Sequence, residues 1–190
     1  KYGYHTGDTN RDNEFSPLSV QLRHSSYILN PSYNICDFYL NDEINISNNN
    51  IANINEIDNL GFSHLMYATH QGKEALVQYL IKNNADIHQM AYGDYEPFML
   101  ACYKKHQNIA EMLLAAGANI NLVENAGKNT PLHAAIKNGD ISMTEWLLNN
   151  NADVHISGSM GTPFHMLCMK PHDSATVNTL DHLLINAGAN

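Results

Sequence analysis

Apolar side chains return along most of this chain in short helical groups, and the groups come two at a time. After Ser63, a residue type that caps helix N-termini, Leu65, Met66 and Ala68 fall at helical spacing and Gly72 ends the run. Ala75, Leu76, Tyr79, Leu80 and Ile81 then form a second stripe over 73–83. The same order returns twice, predicting helices over 97–103 and 108–116, and over 131–137 and 141–149 with Gly139 in the turn between them. A fourth pair starts at Thr162; the stretch 171–175 lengthens its link, and its second helix covers 177–186. Polar segments rich in Gly, Asn or Ser, at 56–62, 89–95, 124–129 and 156–161, separate the pairs. Upstream, Ser16 as N-cap and Pro17 at the first helical position open a weaker pair, whose second stripe is Ile35, Cys36, Phe38, Tyr39 and Leu40.

The pairs are copies of one another. Thr130-Pro131-Leu132-His133-Ala134-Ala135 matches Ser63-His64-Leu65-Met66-Tyr67-Ala68, Glu96-Pro97-Phe98-Met99-Leu100-Ala101 and Thr162-Pro163-Phe164-His165, at steps of about 33 residues. A second motif keeps the same period: Ala85-Asp86-Ile87-His88, Ala118-Asn119-Ile120-Asn121 and Ala152-Asp153-Val154-His155, with Ala52-Asn53-Ile54-Asn55 closing one earlier, degenerate unit. These paired motifs resemble the ankyrin repeat. The resemblance implies an all-α solenoid of antiparallel helix pairs joined by β-hairpin-like fingers, with repeats at about 56–88, 89–121, 122–155 and 156–190. Residues 16–55 would form a degenerate capping repeat with an Asn-rich loop, and residues 1–15 a flexible segment. Leu180, Leu183 and Leu184 would leave an apolar flank at the far end, so the natural protein is expected to continue or a partner to cover this end.

Composition narrows function chiefly by exclusion. A net charge of −9 over 190 residues opposes non-specific binding to nucleic acid or to an anionic membrane, since both require a basic footprint. No apolar run is long enough to span a bilayer. Three cysteines without close pairing argue against a disulfide framework and for a reducing, cytoplasmic setting; Cys102 and Cys168 are expected as buried thiols in a small-residue slot of the repeat. Eleven histidines invite a metal or catalytic reading, but His165, Cys168 and His172 lack the paired spacing of a zinc site. No nucleophile elbow, phosphate loop or dinucleotide fingerprint occurs. The expectation is therefore a monomeric, non-catalytic protein-binding module with no cofactor and no metal. The alternative is the substrate-recognition region of an enzyme whose catalytic domain lies outside this chain.

Candidate binding residues follow from the resemblance, which places finger tips and the exposed side of each first helix on one concave face. Asn59, Leu60 and Phe62 lie in the first finger and Tyr92 and Tyr95 in the second, with His70, Gln71, Tyr103 and Lys104 on the matching helix positions. Aromatic side chains exposed there would be anchors. Lys104, Lys137 and Lys170 recur at one repeat length, with Lys105 beside the first, and such a ladder suits an acidic protein or peptide. His133 and His165 take the motif's histidine position, which the resemblance assigns to local bonds with the repeat-start Thr and the adjacent finger. Similarity to substrates of asparaginyl hydroxylases marks Asn121, and in variant form His88 and His155, as hydroxylation candidates. Asn-rich, irregular repeats are also similar to those of intracellular bacteria, whose ankyrin proteins act in the host cytosol as effectors.

Overall fold

The computed structural model describes residues 53–58, 61–91, 95–125, 127–169 and 172–189. The expected N-terminal pair over residues 16–40 lies outside them, as do Asn59, Leu60, Tyr92 and Lys170. Eight helices follow in order among the described residues: α1 (His64–His70), α2 (Glu74–Lys82), α3 (Pro97–Tyr103), α4 (Gln107–Ala115), α5 (Pro131–Lys137), α6 (Ile141–Asn149), α7 (Pro163–Met169) and α8 (Ser174–Asn186). Each odd-numbered helix packs on the even-numbered one that follows it, and α1, α3, α5 and α7 stack on one another in a row. The architecture is an all-α solenoid.

Local chemistry explains where the helices begin and end. Pro97, Pro131 and Pro163 open α3, α5 and α7, where a missing amide hydrogen has no helical partner to lose. Thr130 accepts from the His133 amide at 3.4 Å while the His133 ring accepts from the Thr130 amide at 3.1 Å, so α5 begins in a reciprocal cap. The second helix of every repeat closes alike. Asn84, Gly117, Asn151 and Gly188 take left-handed backbone, and the next amide, of Ala85, Ala118, Ala152 or Ala189, returns to the carbonyl of Leu80, Leu113, Leu147 or Leu184 at 2.9–3.0 Å. Part of the chain's asparagine usage is thereby explained, because Asn is the side chain that best tolerates that conformation after glycine. Asn83 and Asn150, one residue earlier, each donate Nδ2 to a carbonyl one turn back, at 2.8 Å.

The core is a continuous apolar column, not four separate ones. Leu80, Leu113, Leu147 and Leu184 are fully buried, one per repeat, and Phe98 of the second repeat meets the Trp146 ring of the third at 6.4 Å. Half-buried Trp146 and Tyr79 share the inter-repeat role their common position predicts.

Several expectations change. The fingers are reduced to isolated antiparallel bridges, Ile57 with Ser63 in the first, Ala91 with Tyr95 in the second and Gly158 with Gly161 in the fourth, while the finger over 124–129 is closed by the Glu124 amide on the Asn129 carbonyl at 3.0 Å. Helix α8 begins at Ser174, a turn before the predicted 177, because Asp173 accepts from the Thr176 amide at 3.0 Å and caps it there. The additional residues of the fourth repeat thus lengthen the helix. Cys102 is buried as expected, but Cys168 is exposed. Leu180 and Leu184 are fully buried, and the exposed apolar side chains of the fourth repeat are instead Met160, Met169 and Ile185.

Candidate protein-binding face

The C-terminal ends of α3 and α5, with the finger before α3, bring together one contiguous group. Tyr95, on the return side of the second finger, meets Tyr103 edge-on at 5.7 Å between ring centroids. Lys137, the last residue of α5, holds its ammonium 5.9 Å from the centroid of the Tyr103 ring, within cation–π range. All three are half-buried, as is Lys104 beside Tyr103. The backbone beneath them is clasped across the repeat boundary: Asn138 Nδ2 donates to the Tyr103 carbonyl at 2.8 Å, and Lys105 Nζ donates to the Asn138 carbonyl at 3.1 Å. One repeat earlier, His106 Nε2 lies 3.4 Å from the His70 carbonyl in the corresponding place.

Burial sets the electrostatics here. The His70 imidazole is pulled down to about 4 by desolvation, helped by the positive charge of Lys104 and by His106, so it is neutral at physiological pH. Burial also lowers the Lys104 ammonium. His133 is lowered by burial too, partly offset by the Gly161 carbonyl, to which its Nε2–H donates at 3.0 Å. With Nδ1 accepting from Thr130, that ring is a neutral tautomer tying α5 to the fourth finger, the structural role the motif implies. His165 repeats the Thr contact, with Nδ1 2.8 Å from Thr162 Oγ1, but is exposed. Desolvation raises the Cys102 thiol well above its ordinary range, leaving no nucleophile there. Among the described residues no group of three or more His, Cys, Asp and Glu side chains could hold a metal ion.

The other predicted positions divide. Phe62 is not a solvent-facing anchor: it is 9% exposed and packs on Tyr67 at 5.6 Å, because the Asp58 carboxylate closes the finger by accepting from the Phe62 amide at 2.9 Å and ties it to α1 by accepting from the Tyr67 hydroxyl. Gln71 is exposed and His70 half-buried on the first repeat. Asn121 is a structural clasp, its Oδ1 accepting from the Asp153 amide of the next repeat at 2.8 Å, as Asn55 does for Asp86. His88 and His155 occupy the same position but are exposed, and His88 Nδ1 faces the buried Glu96 carboxylate at 3.3 Å.

One set of surface residues escaped the sequence reading. Ile57, Met90 and Val123 are 49%, 42% and 39% exposed and stand one repeat length apart, the first two at the start of a finger and Val123 just before one. Their recurrence at the 33-residue step was the available signal, obscured because each sits among residues that read as loop.

Comparison with known proteins agrees with this architecture. A family model described as ankyrin repeats (many copies) matches residues 98–148. An ankyrin repeat protein of fowlpox virus (strain NVSL) is 33% identical over 106 residues, covering 54% of this chain and 31% of the viral protein. Alpha-latrocrustotoxin-Lt1a of Latrodectus tredecimguttatus is 30% identical over 91 residues, 48% of this chain and 6% of the toxin. A tyrosine-protein kinase of Hydra vulgaris is 31% identical over 118 residues, 60% of this chain and 15% of the kinase. The chain therefore spans less than a third of each of these relatives. With the two linked motifs, the stacked helix pairs and the Thr130–His133–Gly161 network in place, the chain belongs to the ankyrin-repeat proteins.

Proposed function

We propose that this chain is a non-catalytic binding module that takes an acidic protein or peptide segment along the face lined by Tyr95, Tyr103, Lys104 and Lys137. Ankyrin repeats are generally protein-interaction modules. No helix among the described residues is long and apolar enough to cross a membrane. The observation that carries the reading is the Tyr95–Tyr103–Lys137 array, in which two aromatic rings and an ammonium from adjacent repeats share one half-buried surface. Aromatic anchors dominate many interfaces, and a cation beside them selects for carboxylates. A role as a host-directed effector rests on asparagine usage alone.

Affinity capture with the parent chain beside a Tyr103→Ala/Lys137→Glu variant of intact helicity tests the reading. The expected result is one retained protein, lost by the variant and recovered with an acidic segment of that protein after purification. Equal retention by both chains would remove this face from the account.

A second reading, substrate recognition for an enzyme, is favoured by the Hydra kinase, whose similarity to this chain is confined to 15% of its length. Phosphate transfer by the full-length protein to a captured partner would establish it, and a full-length chain of repeats alone would dismiss it.

A further inference from the structure

The turns inside the first three repeats are superposable in logic and differ in one residue. Gly72, Lys105 and Gly139 hold the same left-handed backbone, with φ of 70, 63 and 61 degrees, and each amide returns to a carbonyl of the preceding helix, on Thr69, Cys102 and Ile136. Glycine is the expected occupant, since any other side chain is strained there. At two of the turns a side chain would also crowd a neighbouring ring. A Cβ on Gly72 would stand 2.9 Å from the His106 ring, and one on Gly139 would stand 3.1 Å from the His172 ring. Of these three turns only the second places lysine in that conformation, which Lys128 also takes in the third finger with φ of 54 degrees.

Its surroundings add a further cost. Lys105 Nζ donates to the Asn138 carbonyl, one residue past Lys137 in the chain, and Lys104 precedes it. Lys104 is itself half-buried. Helix-end carbonyls favour cations and offset part of this. Left-handed strain at exposed Lys105 and partial desolvation of its neighbour Lys104 therefore meet at one turn of a chain whose net charge is −9. Left-handed strain kept where the neighbouring repeats carry glycine points to a use for the side chain, and the clasp on the Asn138 carbonyl accounts for one bond of its ammonium. Charge supports the same conclusion. Between positions 104 and 137 the chain carries Lys104, Lys105, Lys128 and Lys137 against Glu111 and Glu124, and Glu124 is buried.

We propose that Lys105, with Lys104 and Lys137, forms a carboxylate-gripping site for an extended acidic peptide whose apolar or aromatic side chain rests on Tyr95 and Tyr103. The inference rests on the proposed function and deepens it, making the turn of the second repeat the charge-selecting element. Lysine is held there for its ammonium despite the backbone it must adopt.

Lys105→Gly separates the two roles, because it relieves the backbone while deleting the ammonium. The probe is a fluorescein-labelled glutamate–tyrosine copolymer followed by anisotropy, with single-stranded DNA of equal charge as the rival polyanion. The expected result is a higher denaturant midpoint for Lys105→Gly than for the parent, a roughly tenfold weaker copolymer affinity, and a smaller salt dependence. Copolymer affinity within twofold of the parent overturns the site, as does a lower midpoint with no loss of affinity. Loss of binding by Tyr103→Ala/Lys137→Glu but not by Lys105→Gly would leave the proposed function standing and remove this inference. No copolymer binding by the parent, or preference for DNA, overturns both.

Discussion

The second and third repeats share a backbone and differ in how their starts are fastened. In the third, Thr130 and His133 cap each other and His133 reaches the next finger through the Gly161 carbonyl. In the second, Glu96 stands at the cap with no side-chain cap bond, and Met99 fills the histidine position. Both are buried, yet only the third uses that position to bind one repeat to another. The second repeat instead carries the Tyr95–Tyr103 pair, the left-handed Lys105 and half-buried Lys104. Where the consensus network is complete the residues hold the solenoid together. Where it is missing, the departures lie beside the proposed binding face.

The largest test of this contrast is His133→Ala. It deletes a fully buried ring and strands the Thr130 amide and the Gly161 carbonyl, for an expected loss of about 3 kcal/mol in urea unfolding. A loss under about 1 kcal/mol would mean that the network is replaceable.

Acid titration comes next. The folded-state pKa of His70 is lowered, so the unfolded chain takes the proton first: stability is fully present above the ordinary imidazole value of 6.5 and declines as pH falls toward about 4. The expected loss across that window is about 1.5 kcal/mol, after discounting for the partly exposed ring. His64 and His133 act in the same direction. His70→Gln should flatten the decline measured by thermal midpoint against pH, and an unchanged slope would assign it to other groups.

Caps separate the two repeats on a smaller scale. Thr130→Ala should cost about 1 kcal/mol, whereas Glu96→Ala should cost under about 0.5 kcal/mol, since no cap bond is lost. Equal costs would erase the distinction between the two starts.

Smallest is Asn138→Ala, which removes the Nδ2 bond to the Tyr103 carbonyl for about 0.5 kcal/mol. Faster hydrogen exchange in α3 and α5, with α1 unchanged, is the expected readout.

Much of this was legible in advance, for reasons visible at particular residues. Helices α3, α5 and α6 were placed at their observed ends because proline, glycine and caps mark them chemically. Within the candidate site, Tyr103 and Lys137 meet because the period makes each the last residue of equivalent stacked helices, with Tyr95 joining from the finger; Lys104 is one residue out of that register, at the cap position that Asn138 takes in the next repeat. Phe62 was misread as exposed because its burial depends on the Asp58 carboxylate drawing the finger inward, a contact no periodicity announces.

By itself the sequence determined the repeat, its family and the alternation of helix pairs and fingers, since these follow from local caps, left-handed closures and an apolar period that every unit repeats. Only the tertiary structure decided which members of that pattern face outward and which are spent on clasping neighbours. Lys105 over the Asn138 carbonyl, Asn121 under the Asp153 amide and the lowered His70 imidazole arise from contacts about one repeat apart in the chain. Such contacts depend on the distance and desolvation between stacked units, which spacing along a chain does not encode.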